Sequence, residues 1–253
     1  MSNSNARSRV VSGRHIFAVL IAVFVIAGGI AAYHLITAER DYSTARVEYT
    51  ELRRYAPSPE AIPTETEDTA EQPIQETKSD LSLINPDYVG WIRIDGTEID
   101  YPVVQGADND KYLNTTFTGE RNPSGSIFMD AYSRNGFTFF TILHGHNMRD
   151  GSMFGGLYRY LDNSFRDSHR EVTIFTDDND ILSYQIFAVK LSNTNDGVFT
   201  LPESGYDAIS EYFGEFGFSL EDLQQSIDIL VLATCTTGNS SERLLVFAAR
   251  NRV

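Results

Sequence analysis

Hydrophobic and polar residues alternate in three different ways along this chain. From Ile16 to Ile36 nearly every position is apolar or small, interrupted only by Tyr33 and His34. About 20 such residues, at about 1.5 Å each, span a bilayer core of about 30 Å. The stretch has no polar face, which argues against an ordinary amphipathic core helix. From Asp41 to Tyr55 charged residues are interspersed, and a helix can continue there. From Pro57 to Asp80 hydrophobic residues become sparse: Pro57, Pro59, Pro63 and Pro73 lie among Thr and Glu, with Lys78 the one cation. Such a segment cannot bury enough apolar surface to offset its ordering entropy, and it reads as a flexible, self-repelling spacer.

The third pattern begins near Leu81 and is that of short strands. Ile92-Arg-Ile leads into Asp95-Gly96, after which Ile99, Tyr101 and Val103 alternate with other residues, a hairpin signal. Further strands are predicted at Ser126 to Met129, Phe137 to Leu143, Val172 to Thr176, Ile181 to Leu191, Ile227 to Thr234 and Arg243 to Arg250, all rich in Val, Ile, Phe and Tyr. Helical spacing is local. Ile209, Tyr212, Phe213 and Phe216 share one helix face, Ser219 and Asp222 fit a capping box opening a second short helix, and Met153, Leu157 and Leu161 suggest another helical turn. The expectation is a mainly β domain, a barrel or sandwich, with a helical insertion before the strand from Ile227. Three regions follow: 1–38, a tail and membrane helix; 39–80, a stalk and acidic linker; and 81–253, the folded domain.

Charge adds orientation and excludes a function class. Arg7, Arg9 and Arg14 precede the apolar stretch, and Glu39, Arg40 and Asp41 follow it. The excess of cations on the N-terminal side places that end in the cytoplasm and the rest of a single-pass protein outside the cell. A cleaved signal peptide is the alternative, although its apolar region would usually be shorter, about 7–15 residues. The formal net charge of −15 over 253 residues argues against nucleic-acid binding, since no broad basic face is available for phosphates. The chain has a single cysteine, so no intramolecular disulfide staples it.

That cysteine, Cys235, ends the apolar run from Ile227, at a strand end where a side chain can be held rigidly yet meet solvent; Thr236 to Ser240 read as loop. Taken alone it is more readily an inert core thiol. His144-Gly-His146 ends the apolar strand at Leu143 in the same way. His-x-His by itself completes no zinc site, which needs three or four ligands, and no metal or other cofactor is expected. His169 lies in a polar stretch and reads as a solvated loop residue. Arg243 opens the last predicted strand and, across a short loop, comes near Cys235. A permanent cation there suits an oxyanion or a thiolate. Its bland reading is a solvated strand-end arginine paired with Glu242.

Taken together, these residues resemble the sortase family, class B most closely, from about Asn85 to Arg250. The resemblance is carried by Asn85-Pro-Asp-Tyr-Val-Gly-Trp-Ile, Ile99-Asp-Tyr-Pro-Val-Val-Gln, Gly125-Ser-Ile-Phe-Met-Asp, Gly145-His-Asn-Met with Gly151-Ser-Met-Phe, and Leu232-Ala-Thr-Cys followed by Arg243. It implies an eight-stranded β-barrel with an N-terminal helical part and a helix before the cysteine-bearing strand. It also implies Cys235 as nucleophile, His146 as general acid/base and Arg243 as the oxyanion-binding group. Thr234, Asn109 and Leu113 would line the groove for a sorting signal. His144 stands where relatives often carry an aromatic residue and receives no catalytic role. Ala233, Thr236 and Thr237 depart from residues common in class B.

The implied activity is a cysteine transpeptidase at the cell membrane, with its catalytic domain outside. Its partners would be exported proteins bearing a C-terminal sorting signal, of Asn-Pro-x-Thr or Ser/Pro-Pro-x-Thr-Gly type, and an amine of a peptidoglycan precursor. A pilus-polymerising sortase would use a pilin lysine instead. An L,D-transpeptidase keeps its cysteine in a Ser-His-Gly-Cys context, which Ala233-Thr-Cys235 does not match. The reading from a different class is a non-catalytic anchored surface module with Cys235 as core filler.

Overall fold

The computed structural model describes residues 13–57, 80–133, 136–201, 206–214, 227–236 and 239–251. The chain forms two compact units, Met1–Thr44 and Ala45–Val253. A single helix, α1 (Gly13–Leu52), supplies all that is described of the first and the opening of the second. In the first unit, its run of Ala, Leu, Ile and Val without proline favours continuous helix, and it is long and apolar enough to cross a membrane. Phe24, for example, is 77% exposed. The helix runs on through Asp41 to Leu52, so the charged stretch is helical as the sequence allows. Most of the predicted spacer, and the residues ahead of Gly13, lie outside the described residues.

In the second unit α1 becomes one-sided. Ala45, Tyr49 and Leu52 are buried at helical spacing, and the Tyr49 hydroxyl donates to the Gly125 carbonyl at 2.6 Å. Burial, above all, pushes the Tyr49 phenol well above its ordinary pKa, so it remains a neutral donor. A short helix, α2 (Asp80–Ile84), then leads into the sheet.

Eight strands close a barrel in the order β1-β2-β3-β4-β7-β8-β6-β5. They are β1 (Tyr88–Arg93), β2 (Asp100–Val104), β3 (Ile127–Met129), β4 (Phe140–His144), β5 (Glu171–Thr176), β6 (Ile181–Asn193), β7 (Ile227–Thr236) and β8 (Asn239–Asn251). The Asp95-Gly96 hairpin forms between β1 and β2, pairing Ile92 with Tyr101; Gly96 takes φ +75°, where only glycine is unstrained. β6 shows the half-buried alternation expected from its sequence, with Leu182, Tyr184, Ile186 and Ala188 inward. β7 is buried at every position from Asp228 to Thr234, which fits its unbroken apolar run.

Two pairings are parallel, β2 with β3 and β4 with β7. The second sets Leu143 opposite Leu232 and His144 opposite Ala233. Two strands therefore leave the barrel at the same end, side by side, one leading to His146 and the other to Cys235.

Helix α3 (Asn163–Ser168) is capped by Asp162, whose side chain accepts from the Phe165 amide at 2.8 Å. Helix α4 (Tyr206–Gly214) is the insertion expected before the cysteine-bearing strand. Its Ile209, Tyr212 and Phe213 join Phe140, Val231, Leu245 and Phe247 in one core cluster. Phe216, Ser219 and Asp222 lie outside the described residues.

Several local expectations are corrected. Residues 137–139 are not strand: Phe139 has φ +67°, a conformation foreign to a ladder, and its amide donates to the buried Asp228 carboxylate at 2.6 Å. The helical turn expected from Met153, Leu157 and Leu161 does form, as a 3-10 helix over Gly155–Leu161. The loop predicted after Cys235 is shorter than expected, because β7 runs to Thr236 and β8 opens at Asn239. Arg243 is consequently inside β8, not at its start. His169 is half-buried, its ring stacked on Phe165 at 4.1 Å between centroids.

Candidate active site

The end of the barrel where β4 and β7 emerge carries most of the residues singled out from the sequence. Cys235, placed here by its backbone, is the register partner of Arg243 across the antiparallel β7–β8 pair, one residue before the ladder is interrupted by a bulge. Directly opposed residues on such strands have Cα atoms about 4.5–5.5 Å apart. The β4–β7 contact continues past the last strand residue, with the Gly145 amide donating to the Ala233 carbonyl at 3.2 Å. Glycine is required at 145: a Cβ there would come within 2.5 Å of Ile127 Cδ1 and 2.7 Å of the Phe154 ring.

The next residue, His146, is fixed by backbone from elsewhere. Its Nε2 lies 2.6 Å from the Leu113 carbonyl oxygen. A carbonyl only accepts, so Nε2 carries the proton and Nδ1 is left as the basic nitrogen of the neutral ring. Leu113 is held in turn by a tight crossing. Gly125, at φ +57°, lies so close that a Cβ would meet the Tyr112 carbonyl at 2.5 Å and the Leu113 carbonyl at 2.7 Å, while the Ser126 amide donates to Tyr112 O at 3.0 Å.

Between these elements is a cavity of about 360 Å³. Asn109, Leu113, His146, Thr234 and Arg243 all line it, so the structure gathers five of the six residues marked from the sequence around one space and sets Cys235 in the strand alongside. Thr234 is 2% exposed, and its hydroxyl oxygen is buried without a hydrogen-bond partner among the described residues. Arg243 donates from Nη1 to the Glu242 carbonyl at 2.9 Å. Both ends of the Asn109 amide are engaged: Nδ2 donates to Asp130 Oδ2 at 2.9 Å, and Oδ1 accepts from the Ala131 amide at 2.8 Å.

Sequence reasoning overlooked two groups that line the cavity. Asp130 follows β3 and accepts from His144 Nε2 at 2.9 Å, from Asn109, and from the Tyr132 amide at 2.9 Å. Burial pushes its carboxyl up, but these hydrogen bonds, led by the one from His144, outweigh burial and hold it below the ordinary carboxylate range. The available signal was a carboxylate directly after a fully apolar strand. Phe199, from a 3-10 turn (Gly197–Thr200), closes the cavity from another side, and nothing in its local sequence marks it. No group of three or more His, Cys, Asp or Glu side chains suited to a metal is found among the described residues.

Comparison with known proteins places this arrangement. Residues 92–251 match the family model for the Sortase domain. The Sortase B of Listeria monocytogenes is 42% identical over 125 residues, 48% of this chain and 50% of that protein, so the match spans about half the length of the curated relative. The crystal structure of Clostridium perfringens sortase B superposes with a TM-score of 0.62 at 33% identity, covering 68% of this chain and 98% of that one. A Streptococcus pyogenes class B sortase, described as involved in pilus biogenesis, superposes at 0.58 with 28% identity over 67% of this chain and 95% of its own.

Proposed function

This chain belongs to the sortase family, and from that premise we propose that it is a class B cysteine transpeptidase acting on the sorting signals of exported proteins. The single observation that carries the reading is the pairing of Cys235 with Arg243 across β7 and β8, beside the parallel β4 end that leads to His146.

The reaction begins once the Cys235 thiol has given its proton to His146 Nδ1, leaving an imidazolium and a thiolate, and the thiolate attacks a threonine carbonyl of the bound signal. A carbon–sulfur bond forms and the carbonyl electrons move onto oxygen. Arg243, which cannot deprotonate at working pH, donates hydrogen bonds to that oxyanion. As the tetrahedral intermediate collapses, the carbon–nitrogen bond breaks and His146 gives a proton to the departing amine, leaving a thioacyl enzyme. With Nε2 engaged by Leu113, the transferred proton travels through Nδ1. An incoming amine then attacks the thioester, His146 accepts its proton, and the thiolate is released. Thr234, Asn109 and Leu113 belong to the wall against which the signal lies.

In this reading residues 1–38 are the cytoplasmic tail and membrane anchor, 39–80 the extracellular stalk and linker, and 81–253 the catalytic domain. The incoming amine is that of a peptidoglycan precursor. A pilin lysine is the second candidate, because one structural relative serves pilus biogenesis.

The test is mass spectrometry of the protein after exposure to peptides of Asn-Pro-x-Thr and Ser/Pro-Pro-x-Thr-Gly type. An acyl adduct on Cys235, absent from Cys235→Ala, is expected. Its transfer to a cell-wall precursor amine rather than to a lysine peptide distinguishes the two acceptors. A Cys235→Ala protein that still cleaves the peptides would eliminate the mechanism.

A further inference from the structure

A second imidazole lines the cavity. His144 is the last residue of β4, and its ring lies between two aromatic faces: Phe128 at 5.1 Å between centroids and 28° between planes, and Phe199 at 6.2 Å and 20°. Phe199 is itself held in place. The turn carrying it is capped by Asp196, which accepts from the Val198 amide at 2.9 Å and binds Lys190 and the Tyr212 hydroxyl. The stack fixes the plane of the ring, and Asp130 fixes its rotation within that plane through Nε2.

The protonation pattern of this pair follows from its neighbours. The other two groups on the Asp130 carboxylate, the Asn109 amide nitrogen and the Tyr132 backbone amide, are donors only. Asp130 therefore acts as an ionised acceptor, and the hydrogen in the contact with His144 belongs to Nε2. A neutral imidazole has one N–H. Its Nδ1 then carries a lone pair, and this nitrogen makes no hydrogen bond among the described residues.

We propose that His144 is a specificity-determining residue: locked by Asp130 as the Nε2–H tautomer, it offers Nδ1 as a hydrogen-bond acceptor to the peptide in the cavity and selects a donor there, a backbone N–H, an amide or a hydroxyl. The proposal rests on the transpeptidase reading above. It gives a role to a residue that the catalytic steps leave unused.

The experiment uses fluorescence-quenched peptides of Asn-Pro-x-Thr and Ser/Pro-Pro-x-Thr-Gly type with wild-type protein, His144→Phe and Asp130→Asn. His144→Phe preserves the aromatic stack and removes both nitrogens. KM for the best-cleaved peptide is expected to rise about tenfold, the size of one net hydrogen bond, with kcat changed by less than twofold. Long-range ¹⁵N correlation spectra supply a readout independent of turnover: the Nε2–H tautomer is expected at His144, and Asp130→Asn should lose its exclusivity. An unchanged KM in His144→Phe, or an Nδ1–H tautomer in the wild type, overturns the proposal. A wild-type protein that cleaves none of the peptides overturns the transpeptidase reading instead, and the two failures are thereby separated.

Discussion

At the scale of single residues, the cavity is defined as much by what is left unsatisfied as by what is bonded. Among the described residues the Thr234 hydroxyl oxygen is buried without a partner. An unpaired buried polar group costs about 1–3 kcal/mol, so this hydroxyl adds nothing to stability that a valine would lack. Thr234→Val, which keeps the shape and removes the hydroxyl, should leave the thermal midpoint unchanged or raise it while weakening peptide binding severalfold; calorimetric unfolding and KM measured on one preparation check both halves. That Arg243 comes near Cys235 was legible, because a short loop joins the two strand segments that carry them. Asp130 was not. Its role comes from three donors converging from 109, 132 and 144, and that convergence exists only after β3 and β4 pair.

At the scale of elements, the site depends on backbone crossings that no side chain reveals. The Leu113 carbonyl orients His146, and Gly125 permits the loop around Leu113 to lie where it does. In Gly125→Ala the added carbon would meet two backbone carbonyls at a positive φ, and neither can move like a flexible side chain. The expected outcome is a loss of about 1–3 kcal/mol in denaturant unfolding and a fall in kcat larger than stability alone explains, because His146 loses its anchor. The strands themselves were largely legible: the Asp95-Gly96 turn, the alternation in β6 and the unbroken run of β7 each follow a local rule. The failures occurred where tertiary contacts overrode those rules. Phe137 to Phe139 have strand composition, but the Asp228 carboxylate captures the Phe139 amide and ends the ladder. The loop after Cys235 reads as polar and irregular, yet β7 and β8 extend into it.

At the scale of the whole molecule, one helix serves two environments. Its first part is apolar and exposed, whereas Ala45, Tyr49 and Leu52 are buried in the unit that holds the barrel. Truncation should therefore separate two effects. A chain beginning at Ala45 should remain folded and active on soluble peptides while no longer fractionating with membranes. One beginning at Arg53 loses the Tyr49 hydroxyl on Gly125 and Ser126 and should unfold several degrees lower. Fractionation and thermal melts of both chains measure this. The two-part character of the helix was legible from the change at Asp41. Its continuity across that change was not, since charged and apolar stretches each satisfy helical propensity and only packing shows where one role ends.

The closure of the barrel has a consequence for recognition. In the order β1-β2-β3-β4-β7-β8-β6-β5 every strand has two neighbours, so no strand among the described residues stands at the edge of an open sheet. Many peptide-binding domains read an extended guest by accepting it as one more strand, an exchange that supplies affinity with little regard to side chains. No strand described here offers a whole edge for that exchange. A guest must be gripped by side chains and loop carbonyls at the rim, which makes discrimination depend on a few point contacts. Small substitutions around the cavity should therefore retune the choice of guest without disturbing the barrel beneath.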